Sequence, residues 1–143
     1  MSKGNTFEND LVKLIFQATA IANLADNAAA SPLTNLYVSL HTSDPGEAGD
    51  QTTNETAYTG YARVAVARSG SGFTVTNNSV SPAANIDFAE CTASAGAAIT
   101  HFGIGTAASS TGKLLYKGTV TPNITMAVGV IPRLKTTSAI TED

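Results

Sequence analysis

His41, Ser43 and Asp44, in the segment HTSD, are the residue types from which hydrolases build a base, a nucleophile and an orienting acid. Such a group needs a strained strand-to-helix turn that presents the serine, and no serine here lies in a Gly-x-Ser-x-Gly elbow. Ser-Asp-Pro-Gly reads instead as a turn: Asp44 bonds the backbone ahead, Pro45 presets φ and Gly46 accepts positive φ. Metal chemistry has His41 and His101 as its imidazoles, with Asp44 or Glu90 as the nearest carboxylates, and this spacing does not assemble a ligand set. The acids Asp44, Glu47, Asp50 and Glu55 are oxygen donors suited to Ca²⁺, but they follow no EF-hand order. Gly103-x-Gly105 followed by Gly112-Lys113 lacks the spacing and the following helix of a phosphate loop. The expectation is therefore a protein that is not an enzyme, with no cofactor and no metal.

What remains is contact chemistry. Tyr58, Tyr61 and Arg63 are types enriched where proteins meet. Together with Asp44, Glu47, Asp50 and Glu55 they lie on or beside a long polar segment between two strand-like runs. Long ordered loops tend to be functional. The segment from Asp44 to Tyr61 is expected to touch a neighbouring subunit.

The elements that must carry these residues follow from periodicity. Residues 6–25 predict one amphipathic helix, with Phe7, Leu11, Leu14, Ile15, Ala18, Ala22 and Ala25 on one face and Asp10, Lys13 and Gln17 on the other. Asn5 and Glu8 have the spacing of a capping box. Val12, Phe16 and Ile21 widen the apolar face, so Val12 and Phe16 join the expected intersubunit contacts. After Pro32 the chain reads as short strands between Gly, Pro, Asn and Ser turns. These are Leu36–Thr42, Tyr61–Val66, Phe73/Val75, Ile86/Phe88, Ile99–Ile104, Leu114–Tyr116 and an alternating run Ile124, Met126, Val128, Val130. The expected fold is mainly β, an antiparallel β-sandwich or barrel preceded by the helix. Residues 1–32 form the helical arm and residues 33–143 the β domain, with a C-terminal strand or arm.

Composition bounds the partners. Charged residues are 13% of the 143, about half the usual share, and the net charge is -3 with no basic cluster, which argues against nucleic acid. The N-terminus is polar and no run is apolar enough to span a bilayer, so neither a signal peptide nor a membrane partner is expected. The single cysteine, Cys91, reads as a small buried hydrophobe. A weakly charged surface of Thr, Ser, Asn, Gly and Ala suits a subunit packed against others.

The runs LYVSLHTSDPGEAG, YTGYARVAVARS and HFGIGTAASSTGKLLYKG, across about residues 33–120, resemble a family of small tailed-bacteriophage virion proteins often labelled tail fibre proteins. Related small β-proteins act as capsid decoration or cement subunits. The resemblance implies a β-rich virion component assembled in the host cytoplasm and supplies no catalytic residues. Neither heptads nor a repeated shaft motif is present. The expectation is a capsid decoration protein bound by multivalent contacts to the major capsid protein or to neighbouring copies in a homo-oligomer. A tail fibre or tail-tip subunit, with a receptor-binding role, is the alternative.

Overall fold

The computed structural model describes residues 5–21 and 32–142. One helix, α1 (Asn5–Gln17), precedes β1 (Asn35–His41), β2 (Val64–Ala67), β3 (Phe73–Thr76), β4 (Ser79–Pro82), β5 (Ile86–Asp87), β6 (Ile99–Gly105), β7 (Leu114–Ile124), β8 (Arg133–Leu134) and β9 (Ile140–Thr141). The strands are ordered β2-β1-β6-β7, β3-β4-β9 and β5-β8 in three sheets. The β1–β6, β6–β7, β3–β4, β4–β9 and β5–β8 ladders are antiparallel. The mainly β, antiparallel class with a single N-terminal helix is the one the periodicities predict.

Two compact units emerge, one of Met1–Asn35, Val66–Asn85 and Lys135–Asp143, the other of Leu36–Ala65 and Ile86–Leu134. The expected division at residue 32 separates helix from strands along the chain. In space the helix belongs with the β3–β4 hairpin and with β9.

In the first unit the helix turns a different line inward from the one its apolar stripe predicts. Glu8, Val12 and Phe16, spaced four apart, are buried, whereas Phe7 is 39% exposed and Leu11, Leu14 and Ile15 are half-buried. Phe16 meets Phe73 of β3 edge to face at 4.9 Å. Such a pair adds about 1 kcal/mol to the burial of both rings. Val12 and Phe16, expected to be offered to another subunit, are thus fully buried within the chain.

The helix ends at Gln17, short of the expected Ala25, and residues 22–31 lie outside the described residues. Ala18 adopts φ 55° and Thr19 N–H bonds back to Lys13 O at 3.2 Å. The last carbonyls of a helix lack intrahelical donors, and here Arg68 supplies them. Its Nε donates to Ile15 O at 2.6 Å and its Nη2 to Leu14 O. Gln17 Nε2 donates to Phe73 O at 3.2 Å. The stop is set by tertiary partners some fifty residues away, which the helical periodicity does not record. The expected capping box involves the Asn5 side chain, which lies outside the described residues.

In the second unit β1 is a central strand. Leu36, Val38 and Leu40 are buried as the alternation predicts, but so are Ser39 and His41 on the other face. The strand expected to be half-buried is covered on both sides, because the segment between β1 and β2 folds back over it. The hairpin between β6 and β7 forms as expected. The alternation from Ile124 to Val130 does not make a strand: β7 stops at Ile124 and the chain turns. Met126 is buried while Val128 is 66% exposed. The turn is held by Gly129 N–H to Cys91 O at 2.8 Å and Cys91 N–H to Val130 O at 2.9 Å. Backbone partners on another segment override a periodicity that by itself predicts pairing.

Candidate functional site

The segment 42–61 is the candidate site, and its construction begins on β1. Ser39 and His41 point to the same face because strand side chains alternate. Ser39 Oγ lies 2.8 Å from His41 Nε2, and His41 Nδ1 lies 2.8 Å from Thr53 O. A carbonyl oxygen only accepts, so Nδ1 carries the proton, Nε2 accepts and the Ser39 hydroxyl donates. This is the hydrogen-bond order of a serine poised on a base. Yet both side chains are 0% exposed. Opposite them sits Gly103, where a Cβ would lie 2.7 Å from Ser39 Oγ and 2.8 Å from His41 Nε2. The pair is packed shut. Burial holds the His41 imidazole below its ordinary pKa, against the opposing pull of the Thr53 carbonyl and the Glu55 carboxylate.

The loop is pinned over this face by three further devices. Gln51, fully buried, donates from Nε2 to Tyr37 O at 3.1 Å and accepts at Oε1 from Ala107 N–H at 2.9 Å. Its carboxamide occupies the space that a side chain at Gly105 would need, with a would-be Cβ 2.2 Å from Gln51 Cδ. Asp44 makes the turn its sequence predicts, accepting Gly46 N–H at 2.8 Å with Gly46 at φ 76°. Asp44 also pairs with Lys117 of β7 at 2.9 Å, and Glu47 lies 3.8 Å from the same ammonium. The Gly46 amide and then Lys117 hold the Asp44 carboxyl below its usual pKa.

The third device is a charged lock. Arg63 grips Glu55 with two parallel bonds, Nε to Oε1 at 2.7 Å and Nη2 to Oε2 at 2.8 Å, and donates from Nη1 to Ala107 O at 2.9 Å. The Arg63 side chain is 2% exposed and that of Glu55 16%. Tyr61 donates its hydroxyl to Glu55 Oε1 at 2.7 Å and receives Leu40 N–H at 3.1 Å. Its ring lies edge-on to Tyr58 at 5.4 Å and stacks on Phe88 at 6.3 Å. Tyr58 is buried, bonds Ala89 O at 2.8 Å, and burial pushes its phenol up to about 12. Burial also raises the Tyr61 phenol.

The structure therefore divides the expected contact residues. Glu55, Tyr58, Tyr61 and Arg63 are brought together and face inward, building the loop. Val12 and Phe16 lie in the other unit's interior. Asp44 and Glu47 are exposed and Asp50 half-exposed, with Asp50 spent on Thr52 through N–H at 2.7 Å and hydroxyl at 2.6 Å. His101 bonds Thr100 rather than joining His41 around an ion. Among the described residues no three His, Cys, Asp or Glu side chains gather as metal ligands, and no helix is long and apolar enough to cross a membrane. Ser39 and Gln51, central to the site, escape sequence reading. The signal for Ser39 was its two-residue spacing from His41; Gln51 left none.

The family described as Podophage GP4 fiber I protein gp80 matches residues 4–141. The chain belongs to this family. It is accordingly a phage fibre or structural protein, a component of the virion, as the resemblance of its strand and loop motifs implies. No curated protein matches the chain. The gp80 match runs through α1, through the pinned loop and on to β9, so it extends past Thr121, beyond the stretch that carries the sequence resemblance.

Proposed function

We propose that this gp80-family protein is a joining subunit of the phage's fibre apparatus, a structural and not a catalytic part. The observation that carries this reading is the fibre description of a family that matches almost the whole chain. A sequence without heptads or shaft repeats supports a joining module over an extended shaft. The enclosure of Ser39 and His41 supports the structural role, since a nucleophile needs a path for its substrate.

The same lack of a shaft favours a second reading, a decoration subunit on the head that binds the major capsid protein or its own copies. In either setting the loop's partner-facing groups are Asp44 and Glu47, beside Lys117. Localising the chain in intact particles and counting its copies separates the two. A small number of copies at the tail vertex supports the fibre subunit; hundreds over the head surface overturn it in favour of decoration.

A further inference from the structure

The two edge strands of the sheet β2-β1-β6-β7 are not alike. β2 spans four residues, and native sheets blunt an edge by keeping its strand short. β7 spans eleven and pairs with β6 on one side. On its other side, residues 114–124 make no backbone hydrogen bond to any further described segment. Such a row of N–H and C=O groups is a template for another strand. Two guards stand on this edge, a lysine and a proline, and neither closes it. The Lys117 ammonium is drawn to Asp44 at 2.9 Å, and Pro122 comes only near the strand's end. We propose that β7 pairs antiparallel with β7 of a second copy of this chain, about Gly118, so that two four-stranded sheets become one.

The strand suits itself as the occupant. A two-fold pair centred on Gly118 sets Leu114 opposite Pro122, Tyr116 opposite Val120 and Lys117 opposite Thr119 of the second copy, and the reverse. The missing N–H of Pro122 then falls at the end of the ladder. Centring one residue earlier would set Lys117 against Lys117, a like-charge pair that destabilises. Tyr116 and Val120 are half-buried, and a pair of an aromatic with a β-branched residue is a favourable one across strands. At the centre the Phe102 ring of β6 already covers Gly118, where a Cβ would lie 2.6 Å from its Cε1. The charges agree. Asp44 holds Lys117 at 2.9 Å, whereas Glu47, 98% exposed, reaches the same ammonium only at 3.8 Å. Lys117 of the second copy enters two positions along on the same sheet face, so each Glu47 faces an ammonium that the other copy brings. A cleft of about 210 Å³ between Gly46, Glu47 and Gly49 of the loop and residues 114–117 lies along this edge. Thr119 and Thr121 of the second copy are the small side chains that face it.

This inference is independent of whether the subunit resides on the fibre or the head. One strand pair is a small contact, which copies gathered in a particle reinforce by multivalency. The full chain is followed by sedimentation equilibrium from micromolar to millimolar concentration, with amide hydrogen exchange measured at both ends of that range. A dimer is expected at the upper end, with exchange slowed there in residues 115–121. Thr119 is exposed, and Thr119→Lys sets a like charge opposite Lys117 of the second copy, twice by symmetry. It should weaken dimerisation about fivefold, and Thr119→Glu should strengthen it by about as much. Thr119→Glu is the deciding variant if Thr119→Lys does not fold. Val128→Ser, at a side chain 66% exposed and away from β7 in the chain, should leave dimerisation unchanged. A monomer at every concentration, a dimer indifferent to the sign of the charge at residue 119, or slowed exchange that spares β7 would overturn the proposal.

Discussion

Ser39, His41 and Gly103 pack against one another across β1 and β6, and each constrains the other two. Gly103→Ala would push a methyl against Ser39 Oγ and His41 Nε2, neither of which has room to retreat. Overpacking of this kind costs about 1–3 kcal/mol. A lower urea midpoint with an unchanged slope is the expected result; an unchanged midpoint would contradict the packing described. His41 also makes stability depend on pH. Its folded-state pKa is depressed, so the native chain keeps it neutral while the unfolded chain takes up a proton near its ordinary value of about 6.5. The unfolded state then binds more protons, and stability present at neutral pH is lost as pH falls through about 6.5 toward the lower folded-state pKa. Urea midpoints at pH 7.5 and 5.5 should differ in that direction, and His41→Gln should flatten the difference. The carboxyls of Asp44, Asp50 and Asp87 are also lowered, but they act below the ordinary carboxylate range and not in this window.

At the scale of elements, two arginines close structures that local sequence leaves open. Arg63 with Glu55 ties the loop after β1 to its own end. Removing one partner leaves the other charge buried, so Arg63→Ala is expected to destabilise by about 3 kcal/mol. The double variant Arg63→Met/Glu55→Gln should recover part of that loss, measured by denaturant unfolding. Arg68 caps the C-terminal carbonyls of α1 from a distant segment. Arg68→Ala should cost about 2 kcal/mol and reduce helical circular dichroism, while an unaltered helix signal would show that the cap is dispensable. Both arginines are visible in the sequence as single basic residues at strand ends. Their partners are not, since an ion pair or a cap is a three-dimensional coincidence of groups far apart in the chain. The helix itself was legible from its period, but its inward line was not. Phe7, Leu11 and Leu14 satisfy an apolar stripe on paper, whereas Phe73 on β3 receives Phe16 instead.

At the scale of the whole molecule, assembly should depend on what the loop leaves outside. Reversing the charge at Glu47, whose side chain is 98% exposed, is expected to leave the unfolding midpoint nearly unchanged and to lower the number of copies carried per particle. Equal occupancy of variant and wild-type particles would remove the loop from the contact surface. Deleting the loop would be uninformative, because Gln51 and Glu55 hold the fold together. Alternation of β-branched residues between turn formers determined the mainly antiparallel class, and the weakly charged composition and specific motifs pointed to a virion component. These properties are local or additive, so a linear chain records them. Tertiary structure alone decided that the polar loop folds inward over Ser39 and His41 and that Val12 and Phe16 are core. Each of those depends on which distant backbone segment arrives opposite a given side chain, and periodicity carries no information about that.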